Sequence, residues 1–404
     1  MNIEDLEEKY IDLLVNRCIN FNKSKSLLIS YNKINEDIIN KIVSKVKEKG
    51  IKDIYLDMED SNITKDILIN STISEIENNS YFDKSIWDVY AKKNSAFLIC
   101  TTYIPDSMKG VEEEKITIMS RKRNATRSLY RHKQNTYELP WCIFALPNKL
   151  WADLIYPNNL DSYNMLYKTI LDICMVNNNN PIDNWNNYII ENRNRVEILN
   201  NLKIKKLHYK NSLGTDLYVE LNDDTKWCGI GEEEDDMLVN MPSYEVFTSP
   251  YYLGTNGIVY SSKPLIFNDT VINNFYLEFK DGKVVNMNAQ EGSKVLEGII
   301  NTDEYSSYLG EIALVNYNSP ISNTGKVFYE TLFDENASCH IALGSGFSNS
   351  LPDGKELNDK ELLSRGVNVS KTHVDFMIGT KDLYIEAETQ NGNIVIFKDG
   401  NFVI

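Results

Sequence analysis

Short unbroken apolar runs alternate with longer amphipathic stretches along the first half of the chain. The runs are residues 26–31 (SLLISY), 53–56 (DIYL), 96–101 (AFLICT) and 141–146 (WCIFAL). Their length and their aliphatic and aromatic content predict strands, the first of them a buried one. Residues 36–49, 112–133 and 148–155 carry apolar side chains at helical spacing, so strand and helix follow one another. That order predicts an α/β domain with a mostly parallel sheet covered by helices. A polar stretch at 177–187 (NNNNPIDNWNN) leads into a last helix over 185–201.

Beyond residue 200 the pattern changes. Glycines become frequent, and Asp281-Gly282, Asn391-Gly392 and Asp399-Gly400 each stand between β-patterned runs. Asn-Gly and Asp-Gly supply the positive φ values of a tight hairpin turn. The expectation is two domains, residues 1–202 as the α/β N-terminal domain and residues 203–404 as a hairpin-rich α+β domain. A length of 404 residues suits that division, since domains run to roughly 150 residues.

Charge narrows the function. There are 42 Lys+Arg against 58 Asp+Glu, a net charge of −16. That speaks against a nucleic-acid surface, because phosphates need a concentrated cationic face. One basic island stands out: Arg121, Lys122, Arg123, Arg127, Arg131 and Lys133. Arg123, Arg127 and Arg131 recur every four residues and would line one helix face, either as a phosphate or partner site or as a solvated face paired with local glutamates. The six cysteines are scattered without a C-x-x-C pair, so neither a zinc finger nor a disulfide framework is indicated. Cys100, Cys142 and Cys174 sit in apolar runs and read as small buried hydrophobes. The acidic start (MNIEDLEEKY) does not read as a signal peptide, and no apolar run nears the ~20 residues of a membrane helix. The expectation is a cytoplasmic protein with reduced thiols and with neither a membrane nor a nucleic acid as partner.

Of the four histidines (His132, His208, His340 and His373), two fall in unusual segments. In THVDFMIG (372–379) a strand would put His373 and Asp375 on one face and Val374, Phe376 and Ile378 on the other. A converging imidazole and carboxylate opposite a buried apolar face is one way a sheet presents metal ligands. A surface hydrogen-bonded pair has the same spacing. In LFDENASCHIALGSG (332–346), Asp334 and Glu335 lie six and five residues before His340. They share no helical face with it, so a turn is needed to bring Glu335 to His340; capping carboxylates and a core histidine fit the same letters. Glu245 in MPSYEVFTSP (241–250) and Glu311 in YLGEIALV (308–315) are carboxylates in apolar surroundings. A buried carboxylate is paired, ligated or functional unless it leaves its strand at the surface. The chain has no H-E-x-x-H, no nucleophile-elbow context around Gly344-Ser345-Gly346, no G-x-G-x-x-G after a strand and no phosphate-binding P-loop.

Read in order, these segments resemble the thermophilic-type metalloaminopeptidases, the family of aminopeptidases T, S and II. The likeness is carried by GTDLYVEL (214–221), MPSYEVFTSP (241–250), LGEIALV (309–315), SPIS (319–322), TLFDENASCHIALG (331–344) and THVDFMIG (372–379). YIDLLVN (10–16) and LPW (139–141) match more loosely, so the resemblance spans nearly the whole chain. It implies a homodimeric enzyme that removes N-terminal residues from peptides with a free N-terminus, using two divalent metal ions, zinc or cobalt, and a metal-bound water. It places the ligands on Glu245, Glu311, His340, His373 and Asp375, with Glu335 as a further ligand or a group beside them. Residues 203–404 are then the catalytic metal-binding domain, with Glu245 or Glu311 as bridge or base. One position departs. The family has a tyrosine at the metal centre, seven residues after the histidine of the A-L-G motif, where this chain has Phe347. Losing a phenol that stabilises an oxyanion costs about 10²–10³ in rate. Either another tyrosine such as Tyr329 replaces it, or the chain is a weakly active or non-catalytic homologue that binds metal and peptide.

Overall fold

The computed structural model describes residues 2–404 except 20, 178–179, 232–236 and 268–269, and of residue 135 the backbone only. The chain divides into two compact units, Met1–Asn186 with Glu233–Ser243, and Asn187–Glu232 with Tyr244–Ile404.

The first unit is built on a parallel sheet, as the apolar runs predict. Ser26–Asn32 is flanked by Asp53–Glu59 on one side and Ala96–Thr101 on the other; Trp141–Ala145 and then Asn240–Met241 follow beyond Ala96–Thr101. Leu27, Leu28 and Ile29 are fully buried at its centre. Helix Glu36–Glu48 buries Ile38, Ile39, Ile42, Val43 and Val46, a stripe at helical period. All six cysteines are buried, and no two of them form a disulfide.

Two helical expectations are corrected. The pattern over 112–133 is two helices, Glu113–Ala125 and Ser128–Asn135. Thr126 turns its hydroxyl back to the carbonyls of Lys122 and Arg123, at 3.0 and 3.2 Å. Asp88 then accepts the N–H groups of Leu129 and Tyr130 at 3.3 and 2.9 Å, which starts the second helix. Arg123, Arg127 and Arg131 therefore share no single helical face. Arg123 pairs with Glu59 at 2.9 Å, and Arg127 lies 4.9 Å over the Trp87 ring. The last helix begins earlier than expected, at Pro181, and runs to Leu202. Proline suits the first helical position because its missing N–H would have had no partner there.

The second unit contains two antiparallel sheets. The larger runs Leu265–Phe267, Thr270–Lys280, Thr255–Tyr260, Asp216–Glu220, Lys206–Lys210, Tyr384–Thr389, Gly392–Lys398 and Asn401–Phe402, with Lys283–Glu291 also paired to Thr270–Lys280. Asp281-Gly282 and Asp399-Gly400 turn two of its hairpins with positive φ at both residues. At Asn391-Gly392 only the glycine has positive φ, since Thr389 pairs with Gly392 and residues 390–391 form the loop. The smaller sheet runs His373–Met377, His340–Gly344, Leu309–Leu314, Val246–Thr248 and Cys228–Gly229. Leu217, Val219 and Leu277 of the larger sheet share one core with Ile312, Ile341 and Phe376 of the smaller.

Candidate metal centre

Side chains alternate along a strand, so each strand of the smaller sheet turns one set of residues to the core and the other away from it. Ile312, Leu314, Ile341, Leu343, Val374 and Phe376 enter the core. On the opposite face, Glu311 pairs with Ala342, Ala342 with Asp375, Ala313 with His340 and Gly344 with His373. Two imidazoles and two carboxylates thus stand on one floor, among the small residues Ala313, Ala342 and Gly344.

The placement of Glu311 depends on a bulge. Strict alternation would put it on the side of Leu309, whose side chain lies in the core. A register shift between Leu309 and Glu311 makes Gly310 an extra residue and turns Glu311 to the polar face. Glycine is needed there, because a Cβ at Gly310 would come within 2.2 Å of the Ser345 carbonyl oxygen and 2.4 Å of that of Gly344.

The other two glutamates come from outside the three central strands. Glu245 immediately precedes Val246–Thr248, and its carbonyl accepts the Asn192 amide at 2.8 Å. Glu335 opens the turn Glu335–Ala337, which follows the short helix Thr331–Asp334 and leads towards His340. That turn is the one the sequence demands for Glu335 to approach His340. Buried Asn336 joins the two segments, since its Oδ1 accepts the Tyr244 N–H at 2.7 Å.

Each imidazole is held by its Nδ1 and aimed by its Nε2. His340 Nδ1 lies 3.2 Å from the Ser338 carbonyl oxygen, and His373 Nδ1 lies 2.7 Å from that of Ser345. A carbonyl only accepts, so Nδ1 carries hydrogen in both rings and Nε2 faces the carboxylates. His340 Nε2 is 3.1 Å from Glu245; His373 Nε2 is 3.1 Å from Glu311 and 3.3 Å from Asp375. Glu245, Glu311 and His340 form one convergent group, and Glu311, His373 and Asp375 form another. Within each group the candidate ligand atoms lie within 4.8 Å of one another. Glu311 belongs to both.

Burial sets the electrostatics. It pushes the Glu311 carboxyl up to about 7, against the pull of His373 and with Asp375 adding to the rise. Burial also raises Glu335 well above the usual carboxylate range, reinforced by Asp375 and Glu245. It would lower His340, but Glu245, Glu311 and Asp375 outweigh it and bring the imidazole to about 10. His373 is likewise raised by Asp375 and Glu311 in spite of burial. Asp375 is drawn down to about 2, because the two imidazoles outweigh its desolvation.

These residues fit a divalent cation. Four carboxylates (Glu245, Glu311, Glu335 and Asp375) face two imidazoles, and the upward shifts of Glu311 and Glu335 show that the buried acids outnumber what the two rings can offset. Among the described residues, no lysine or arginine pairs with any of them. Such an excess is costly in a buried site unless a cation meets it, and oxygen with imidazole nitrogen is the donor set of zinc, cobalt and similar ions. The two Nδ1–H···O=C contacts are the outer support that metal-binding histidines ordinarily have.

Two further features adjoin the cluster. A recess of about 20 Å³ opens beside Glu335 and Asp375, lined also by Leu265, Ile266, Tyr329 and Met377. The Phe347 ring lies 5.1 Å from the His373 ring and 5.0 Å from that of Phe247, so the residue that departs from the family pattern stands beside a candidate ligand. All six residues expected from sequence meet in the second unit, five of them in the two convergent groups. Glu335 stands beside those groups. Residue types alone do not reveal the carbonyls of Ser338 and Ser345 that orient the histidines, because any residue has a carbonyl. The flanking glycines of LGE and ALGSG were the available sign of close backbone approach.

Comparison with known proteins shows the family. Residues 3–402 match the family model described as thermophilic metalloprotease (M29). The chain is 33% identical over 399 residues to the aminopeptidase AmpS of Bacillus subtilis (strain 168), covering 97% of each chain. It is 32% identical over 401 residues to aminopeptidase 2 of Geobacillus stearothermophilus, covering 98% of this chain and 97% of that one. The solved structure of wild-type AmpT from Thermus thermophilus superposes with a TM-score of 0.90 at 25% identity, over the full length of both chains. This chain therefore belongs to the M29 family of thermophilic metalloproteases and is a metal-dependent hydrolase.

Proposed function

We propose that the protein is a dinuclear metalloaminopeptidase, which takes single residues from the N-termini of peptides. The observation that carries this reading is the pair of three-ligand groups sharing Glu311. One ion would be held by Glu245, Glu311 and His340, the other by Glu311, His373 and Asp375, with Glu311 between them and Glu335 as a further ligand or close neighbour. Zinc and cobalt both suit these donors. When bound, such ions polarise the scissile carbonyl and lower the pKa of the attacking water.

The chain's own residues supply the rest. Ser338 and Ser345 fix the ring orientations through their carbonyls, so Nε2 of each histidine is presented without reorganisation. The relatives AmpS and aminopeptidase 2 are named aminopeptidases, which supports cleavage at a free N-terminus. The proton given up by the attacking water passes to Glu245 or Glu311 and from there to the leaving amine.

A test uses aminoacyl-nitroanilides and short peptides, free and N-acetylated, with Zn²⁺ or Co²⁺. The expected result is chelator-sensitive release of the N-terminal residue from free peptides only. Cleavage of acetylated peptides at internal bonds, or hydrolysis indifferent to chelators, would contradict it. A second reading, a weakly active or non-catalytic homologue that binds metal and peptide, draws on the Phe347 ring beside His373. We further propose residues 1–202 and 203–404 as the functional domains, a homodimer in solution and a cytoplasmic location. No helix among the described residues is long and apolar enough to cross a membrane. Light scattering at micromolar concentration would decide the oligomer.

A further inference from the structure

Asn368 belongs to none of the ligand groups, yet its side chain converges on the backbone behind one of them. It is 1% exposed. Its Nδ2 lies within hydrogen-bonding distance of three carbonyl oxygens, those of Tyr305 at 2.9 Å, Tyr308 at 3.3 Å and Gly344. Its main-chain carbonyl accepts the Gly346 N–H at 2.8 Å. An amide has two protons for those three acceptors, so it acts as a clamp on a turn and a strand end together.

The clamped segment is the one that aims His373. Ser345 lies between Gly344 and Gly346, which Asn368 grips from its side chain and its main chain respectively. The Ser345 N–H donates to Thr372 and the Gly344 N–H to Tyr308, each at 2.8 Å. With both neighbours and its own N–H held, the Ser345 carbonyl is directed at His373 Nδ1, 2.7 Å away. Gly344 has φ +104°, and a Cβ there would come within 2.2 Å of the Thr372 carbonyl oxygen, so this strand end must be glycine, the most flexible residue, and the clamp is what holds it in one arrangement.

We propose that Asn368 is a positioning residue for the metal centre: through the Ser345 carbonyl it holds the tautomer and orientation of His373. The inference rests on the metal-centre reading above and concerns only the group of Glu311, His373 and Asp375. Removing an outer partner of a ligand costs about 10–100-fold in metal affinity, and here the loss should fall on one ion.

The experiment is a Co²⁺ titration of the metal-free full-length protein followed by visible absorption, on wild type, Asn368→Asp and Asn368→Ala, with thermal midpoints recorded alongside. Aspartate keeps the shape and removes the donors; alanine removes both without adding charge. The expected result is two equivalents bound by wild type, and one of the two weakened by 10–100-fold in both variants with the other within about threefold. Two equivalents at wild-type affinity in both variants would overturn the proposal and leave the metal centre standing. So would parallel weakening of both ions that tracks a fall in thermal midpoint, since that is general destabilisation. Fewer than two equivalents in wild type would instead overturn the dinuclear reading, and this inference with it.

Discussion

At the scale of single residues, Glu311 and Phe347 decide most. Glu311 is the one carboxylate that both convergent groups use, so its loss differs in kind from the loss of any other ligand. Glu311→Gln should abolish binding of both ions. Asp375→Asn should leave one in place, and elemental analysis after dialysis would separate the two outcomes. The fall in kcat/KM for Glu311→Gln should exceed the roughly 10–100-fold typical of an outer partner. Phe347 is the counterpart. Its ring lies 5.1 Å from that of His373 but offers no donor, and Phe347→Tyr adds a hydroxyl to that ring. An oxyanion donor is worth about 10²–10³ in rate, so a gain of at least tenfold in kcat is expected of the variant. An unchanged kcat would show that this chain does its chemistry without that hydroxyl.

At the scale of elements, the bulge at Gly310 brings the glutamate into the site. The pairing of His373 with Asp375 is legible in the letters, because an uninterrupted strand has a period of two. Glu311 is not legible in the same way. Along LGEIAL, strict alternation sends it with Leu309 into the core, and only the inserted residue reverses it. The turn at Glu335 was implied by spacing, whereas its link to Glu245 through Asn336 joins segments about 90 residues apart, beyond any local pattern. The single helical face read for the basic stretch fails for a related reason, although Arg121 and Arg123 do pair with Glu77 and Glu59: Thr126 and Asp88 break one apparent helix into two, and a periodicity of four assumes no break. Gly310→Ala should destabilise the protein and lose metal together, because its Cβ would meet two carbonyl oxygens. Gly298→Ala is the control. It lies in helix Ser293–Ile300 with open space around it and should stabilise by about 0.5–1 kcal/mol. Thermal midpoints and metal content of the two variants would check this.

At the scale of the whole molecule, the parallel sheet of the first unit was readable from its apolar runs and the hairpins of the second from two Asp-Gly turns. Which strands become neighbours was not, since that is set by long-range pairing. Of the net charge of −16, four carboxylates have a specific place in the second unit. Asp303 shows how acidity supports the fold elsewhere. Burial alone would raise its pKa, but the N–H of Lys371, the Ser370 hydroxyl and the N–H of Tyr305 hold it below its ordinary value. A group depressed on folding contributes stability above its unfolded pKa and loses it as pH falls through the folded one. The gap in thermal midpoint between wild type and Asp303→Asn should therefore be full at pH 7 and narrow below pH 3.8, where the carboxylate takes up its proton.

The claim on which all of this depends is that two divalent ions sit on either side of Glu311. Anomalous diffraction from crystals grown with Zn²⁺ or Co²⁺, recorded at the metal edge, tests it most directly. Two peaks are expected, one among Glu245, Glu311 and His340 and one among Glu311, His373 and Asp375, both in contact with the Glu311 carboxylate. A single peak away from Glu311, or no peak at the cluster in metal-soaked crystals, would contradict it.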